Sequence, residues 1–99
     1  MFIRIARFQG DPADVDAAIS RVRSMMDEGS APPGLEGARR SMMLVDRQSG
    51  TSLGLTFFDT EDDLRRGDQA LNEMTPPAGA TGRRTSVELY EVAIDREWT

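Results

Sequence analysis

Apolar and polar residues alternate along the first segment of the chain, as they do along a β-strand. Residues 2–8, FIRIARF, place Ile3, Ile5 and Arg7 on one side and Phe2, Arg4, Ala6 and Phe8 on the other. A period of two over this length predicts a strand. The Gly-Asp-Pro run that follows ends it, and Asp11 and Pro12 suit the cap and the first position of a helix.

The next segment changes to helical spacing. Its apolar residues recur every three or four positions, at Val15, Ala18, Ile19, Val22 and Met26. We expect this helix to end at Gly29, because glycine readily adopts the left-handed conformation that closes many helices. Residues 30–40 are rich in Pro and Gly and predict a connection.

Residues 41–58 predict a β-hairpin whose strands are apolar on both faces. Residues 46–50, DRQSG, form its turn, and Gly50 suits a positive φ. Residues 42–45 are all apolar, and the second strand carries Leu53, Leu55, Phe57 and Phe58. A sheet with one solvated face would alternate instead, so both faces of this sheet should be covered.

A second helix and a last strand complete the pattern. The helix begins in residues 59–64, DTEDDL, with Asp59 or Thr60 as its cap. Gly67 weakens its middle, and its buried stripe consists of Leu64, Leu71 and Met74. Residues 75–86 are the longest irregular segment, for which a lid over a pocket and a plain spacer both remain open. Residues 87–94, VELYEVAI, predict the final strand.

The order β-α-β-β-α-β predicts an α+β, ferredoxin-like fold in one domain over residues 1–99, with 95–99 as a short tail. In this fold the antiparallel sheet has the strand order 4-1-3-2 and both helices lie on one face. We expect the other face to carry Phe2, Phe8 and half of the hairpin's apolar side chains. That surface is too apolar for water, so we expect a homodimer through the face that the helices leave open.

Composition narrows the functional classes. The chain is 38% hydrophobic and 29% charged, with no apolar run near the roughly 20 residues that span a bilayer. The start resembles no signal peptide, and we expect a cytoplasmic protein. A net charge of −5 and a pI near 4.6 argue against binding to nucleic acid or to anionic membranes.

Three residue types are missing from the chain. It has no Cys, no His and no Lys, so all twelve basic residues are Arg, a usage typical of a GC-rich bacterial genome. These absences exclude thiolate nucleophiles, Ser-His triads, Schiff bases and zinc or haem held by His or Cys. Ionisable chemistry is left to Asp, Glu and the single tyrosine, Tyr90, with Arg as a fixed cation.

The chain resembles the dimeric α/β-barrel superfamily. The resemblance lies in five segments and in their order along the chain: FIRIARF, PGLEGA (33–38), LVDRQSG (44–50), FFDTEDDL (57–64) and VELYEVAI. Within this superfamily the chain is similar to antibiotic-biosynthesis-monooxygenase (ABM) domains. The resemblance implies a dimeric α/β barrel with an apolar pocket between sheet and helices in each protomer. Members of the family include cofactor-independent oxygenases of aromatic polyketides, quinol oxygenases and haem-degrading enzymes, so the resemblance implies an activity of one of these kinds. The haem degraders use Asn, Trp and His; Arg7 and Gly67 stand at the first two positions and no His exists, so haem degradation is rejected.

The resemblance also suggests site residues. In a cofactor-independent oxygenase the substrate supplies the electrons, and the protein favours its anion and shields it from water. Arg7 is the candidate to stabilise a phenolate, and its plain alternative is an ion-pair partner. Tyr90 is the candidate to donate a hydrogen bond or relay a proton, and its plain alternative is a core or interface residue. The candidates for ligand contact are Met26, Met43, Phe58, Asn72, Met74 and Trp98. The alternative is an exposed side chain for Asn72, packing across the dimer for Trp98, and core packing for the others. No metal ligand set and no cofactor are expected.

Three functions stay open. The first is a cofactor-independent monooxygenase or related oxidoreductase acting on a small aromatic or quinol. The second is a non-catalytic module that binds a small apolar ligand or regulates a partner, and the third is a structural dimerisation domain. An enzyme should have a cavity of about 300 Å³ into which Arg7 or Tyr90 reaches. A binding module should have the cavity without convergent charge, and a dimerisation domain should fill it with its own side chains.

Overall fold

The computed structural model describes residues 1–27, 33–73 and 82–98. The elements, in chain order, are β1 (Phe2–Gln9), a 3₁₀ turn (Pro12–Asp14), α1 (Val15–Asp27), β2 (Ala38–Val45), β3 (Thr51–Phe58), α2 (Glu61–Glu73) and β4 (Arg83–Glu91). The four strands form one antiparallel sheet in the order β2-β3-β1-β4. This is the order 4-1-3-2 read from the other edge, so the predicted ferredoxin-like fold is confirmed.

The predicted caps and turn are confirmed, with one refinement. The Asp11 carboxylate accepts a hydrogen bond of 2.9 Å from the Ala13 amide, but Pro12 opens a 3₁₀ turn before α1 begins. Thr60, rather than Asp59, caps α2, because its Oγ1 accepts a hydrogen bond from the Asp63 amide. Gly50 has a φ of +80° at the end of the hairpin turn. The predicted end of α1 at Gly29 lies outside the described residues.

The limits of β4 differ from those predicted. The strand runs from Arg83 to Glu91 and not over 87–94. The sequence predicts a loop for its first residues because they are polar. In the structure Arg83 and Arg84 pair with Gln9 and Phe8, beyond a bulge that shifts the register. Polar edge residues of this kind pair through their backbone and leave no apolar pattern in the sequence. The rest of the segment predicted as loop, up to residue 81, lies outside the described residues.

The expected placement of Phe2 and Phe8 on the uncovered face is wrong. Phe2 packs against a buried cluster formed by Leu35, Phe58 and Leu64, which lies beneath α2. Because side chains alternate along a strand, Phe8 shares this helix-covered face with Phe2, and Ile3 and Ile5 lie on the opposite one. The alternation was predicted correctly, but the two faces of β1 were exchanged.

Gly67 has a packing role that its helix propensity does not reveal. It is buried where α2 crosses β3, and a Cβ at this position would lie 2.4 Å from Cζ of Phe58. Phe58 is fully buried, so its ring has no free direction in which to move. The absent side chain therefore lets α2 approach the sheet closely enough to cover this ring.

The sheet face opposite the helices is mainly apolar, and we call it the open face. Thr51, Gln9 and Arg83 form a polar row on this face, and its other paired residues lie in three rows that run from β2 to β4. The rows are Arg40, Phe57, Ile3 and Tyr90; Met42, Leu55, Ile5 and Glu88; and Leu44, Leu53, Arg7 and Ser86. Neither helix, as far as the structure describes it, lies over this face. Within the same residues, neither helix has the length and apolar content to cross a membrane.

Candidate functional site

A groove of about 520 Å³ runs between α2 and β4 on the helix-covered face. It arises because α2 packs mainly over β1, β3 and β2 and leaves β4 to one side. Its lining combines apolar side chains from the sheet with polar residues from both elements: Val87, Leu89, Asp68, Asn72, Arg84, Thr85 and Ser86. Its volume falls in the range of small-molecule sites.

Two arginines converge on one amide oxygen at the polar side of the groove. Nη2 of Arg4 donates to Oδ1 of Asn72 over 3.0 Å, and Nη1 of Arg84 donates to the same atom over 2.9 Å. An amide oxygen has two lone pairs, so both bonds are satisfied at once. Asn72 therefore ties α2 to the central strand and to the edge strand of the sheet.

The charge of Arg4 is neutralised by Asp68. Arg4 is only 5% exposed, and its Nε donates to Oδ1 of Asp68 over 2.8 Å. A buried guanidinium needs such a partner, because an unpaired charge is costly away from water. Arg84 forms no ion pair with a carboxylate of the described residues. The groove therefore carries a positive charge at Arg84.

This arrangement can hold and orient a ring-shaped molecule. Val87 and Leu89, the latter 40% exposed, offer an apolar surface beside the guanidinium of Arg84. The Asn72 amide nitrogen forms no hydrogen bond to the described residues and can donate to a ligand oxygen. A fixed cation and an amide donor together favour the anionic form of a phenol or an enol.

Arg7 and Tyr90, the predicted catalytic pair, do not line this groove. Both lie on the open face, in different rows, and both are exposed. The Tyr90 hydroxyl donates a hydrogen bond to the Glu88 carboxylate, and this bond and the negative charge of Glu88 raise the pKa of Tyr90. The catalytic roles assigned to Arg7 and Tyr90 stay predictions.

The other predicted ligand contacts are dispersed over the protomer. Asn72 lines the groove, whereas Phe58 is enclosed in the core. Met43 lines a smaller cavity of about 130 Å³ between the start of α1 and the β2–β3 hairpin. Met26 and Trp98 are exposed, and the guanidinium of Arg96 lies 4.2 Å from the centre of the Trp98 ring. Met74 lies outside the described residues.

Two solved structures have a similar fold and match almost the whole chain. SnoaB, a cofactor-independent oxygenase from Streptomyces nogalater solved as a point mutant, is 16% identical, with a TM-score of 0.54 over 95% of this chain and 94% of that one. A candidate antibiotic biosynthesis monooxygenase from Deinococcus radiodurans is 14% identical, with a TM-score of 0.56 over 100% and 99%. The fold is that of the ABM domains. No family model matches the sequence, and no curated protein matches it.

The residues that line the groove of this ABM-like fold were only partly found from the sequence. Arg4 was grouped correctly with Phe2, Ala6 and Phe8, but that side of β1 was assigned to the uncovered face, so Arg4 was not recognised as a buried charge that needs a partner. Asp68 and Asn72 follow the buried Leu64 at four-residue intervals, so they lie on the same side of α2, where Asp68 is half-buried and Asn72 is exposed. Arg84 was missed because its segment was interpreted as loop.

Proposed function

We propose that this ABM-like protein is a cofactor-independent oxidoreductase that acts on a small aromatic compound in the groove between α2 and β4. The observation that carries the proposal is the convergence of Arg4 and Arg84 on Asn72 beside the apolar wall of Val87 and Leu89. The likeness in fold to SnoaB, a cofactor-independent oxygenase, supports the same class of chemistry.

In the proposed reaction the electrons come from the substrate itself. An anthrone or quinol, once deprotonated, is itself the reductant of O₂. For an anthrone, the ring methylene is oxidised to a carbonyl; one oxygen atom of O₂ enters the product and the other leaves as water. Asn72 and Arg84 would hold the substrate oxygen as the anion, and the apolar wall would orient the ring.

The test is oxidation of 1,8-dihydroxy-9-anthrone in air, followed as quinone absorbance and O₂ uptake with a metal chelator present. We expect the protein to exceed the spontaneous rate, and Asn72→Leu to lose at least about tenfold of the excess, one charge-assisted hydrogen bond's worth. Glu73→Gln, next to it on α2 but outside the groove lining, is the matched control. A wild-type rate equal to the buffer rate would contradict oxidation of this substrate class. Arg7→Ala belongs in the same assay, because an unchanged rate removes Arg7 from the site.

Binding without turnover is the second candidate. It is favoured by the groove's single lining carboxylate, Asp68, which is engaged by Arg4 and so is poorly placed to accept a substrate proton. Binding of an aromatic probe with no oxidation above background would support this function over the first. The described groove is not filled by side chains, which disfavours a purely structural role.

We also infer that two copies pair through the open face. Seven of the twelve side chains in its three full rows are aliphatic, aromatic or thioether groups on β2, β3 and β1: Met42, Leu44, Leu53, Leu55, Phe57, Ile3 and Ile5. At usual strand spacings they form a contiguous patch on the order of 300 Å². The described helices leave this patch uncovered, and a second copy offers an identical apolar surface with which to cover it.

A further inference from the structure

We propose that the groove selects ring compounds that carry a permanent negative charge, such as aromatic carboxylates, over neutral rings of the same shape. This inference rests on the proposed function for the identity of the groove, but it concerns which ligand class binds and not whether oxidation follows. Arg84 is the residue to which it assigns the selection.

The first argument is the imbalance of charge in the groove. Asp68 neutralises Arg4 at 2.8 Å, and the other polar neighbour, Asn72, is uncharged. Arg84 shares the Asn72 oxygen with Arg4, so it bonds to a neutral group that already holds a second cation. A ligand carboxylate would supply the counter-charge that the described residues do not give Arg84.

The second argument is geometric. Only Nη1 of Arg84 is engaged by a described residue, which leaves further guanidinium donors for a two-point bond to a carboxylate. Val87, three residues after Arg84 in β4, lines the same groove together with Leu89. An aromatic acid therefore meets its cation and its apolar surface at once, whereas a simple inorganic anion uses only the first.

The third argument comes from the rest of the molecule. The chain has a net charge of −5, so its overall field disfavours anions. A preference for an anionic ring would then have to come from a local cation. Arg83 provides the comparison, because it precedes Arg84 in β4 and is exposed as Arg84 is, but it pairs with Gln9 and does not line the groove.

The test uses two fluorescent probes with the same ring system, 8-anilinonaphthalene-1-sulfonate, which is anionic, and N-phenyl-1-naphthylamine, which is neutral. We expect the wild-type protein to bind the sulfonate more tightly. Arg84→Gln should weaken sulfonate binding about tenfold and change binding of the neutral probe less than twofold. Arg84→Lys should retain part of the preference, and Arg83→Gln should leave both affinities unchanged. Circular dichroism establishes that each variant is folded.

Competition separates ring acids from anions in general. We expect 1-naphthoate to displace the sulfonate probe, and inorganic phosphate at matched ionic strength not to do so. An unchanged ratio of the two affinities in Arg84→Gln would overturn the proposal, as would equal loss in Arg83→Gln. Displacement by phosphate alone would also overturn it, in favour of a simple anion site. None of these outcomes depends on turnover, so a failure here is distinct from a failure of the oxidation assay.

Discussion

Nε of Arg4 donates to Oδ1 of Asp68 over 2.8 Å and joins the central strand of the sheet to the helix that covers it. Arg4 is 5% exposed and Asp68 24%, so the pair is largely shielded from water. Such a pair adds little net stability compared with apolar residues, but removing one partner leaves the other charge buried and unpaired. The pair therefore fixes where α2 lies on the sheet, and with it one wall of the groove.

We expect Asp68→Ala to lower the free energy of unfolding by about 3 kcal/mol, because it leaves the Arg4 charge buried without a carboxylate. The double variant Arg4→Met/Asp68→Leu should recover most of this loss, since it removes both charges. Urea denaturation measures both values. Glu61→Gln, which breaks the exposed pair with Arg65, is the control and should lower the free energy of unfolding far less, because solvent screens an exposed pair. Equal losses for Asp68→Ala and Glu61→Gln would show that burial of the pair is energetically unimportant.

The close packing of Gly67 on Phe58 predicts that Gly67→Ala destabilises the protein, although helix propensity alone predicts that it is stabilising. Alanine in place of glycine inside a helix normally gains about 1 kcal/mol. At Gly67 the added Cβ would lie 2.4 Å from the Phe58 ring, and overpacking of a core typically costs about 1–3 kcal/mol. We expect Gly67→Ala to be destabilising overall, as measured by chemical denaturation.

Two further variants test the cause of that loss. In a Phe58→Leu background the ring atoms are gone, and Gly67→Ala should become neutral or stabilising. Gly54→Ala in β3 is the control, because its Cβ would meet only Cε2 of Phe8, at 3.9 Å. A loss from Gly67→Ala that persists in the Phe58→Leu background would place its cause outside the Phe58 ring, for example in the contact with Cδ2 of Leu35, which would lie 3.3 Å from the added Cβ.

The fold was predictable because its elements follow hydrophobic periodicity and local caps. β1 alternates strictly, and Asp11, Thr60 and Gly50 are residue types that specify their own local geometry. Which face of β1 the helices cover was not predictable, because Phe2 and Ile3 are both suitable core residues. The covered face is decided by the packing of Phe2 against the cluster that contains Phe58, a contact between residues far apart in the chain.

The candidate site was less predictable than the fold. Asn72 was found by residue type, but its two partners lie on β1 and β4. Arg4 looked like one charge in an alternating strand, and Arg84 like part of a loop. Their convergence requires the sheet order that places β1 beside β4, so it follows from the tertiary structure and not from any local pattern.

Tyr90 offers a titration that can be read without interference, because it is the only tyrosine of the chain. Its hydrogen bond to Glu88 and the nearby negative charge raise its pKa above the ordinary value near 10. We expect the tyrosinate absorbance of the folded protein to appear at a higher pH than that of the protein in denaturant. The stabilisation from this bond is therefore complete below pH of about 10 and is lost as the pH rises through the raised pKa.

Glu88→Gln identifies the cause of the shift. The substitution removes the negative charge, so the pKa of Tyr90 should fall towards its ordinary value. Glu91→Gln, on the same strand but on the other face, is the matched control and should change it little. If the folded and denatured proteins titrate at the same pH, the contact between Tyr90 and Glu88 does not persist in solution.

The open face should control association of two copies. Leu55 lies in the middle row between Met42 and Ile5, on the face opposite the helices. We expect the wild-type protein to sediment with twice the 10.9 kDa mass of the chain, and Leu55→Arg to sediment as a monomer. The reason is that a guanidinium in a closed apolar interface would be buried without a partner. Gln69→Arg adds the same charge on the exposed side of α2 and should leave the dimer intact. A wild-type monomer at high concentration, or a Leu55→Arg variant that remains dimeric, would mean that this face is not where two copies meet.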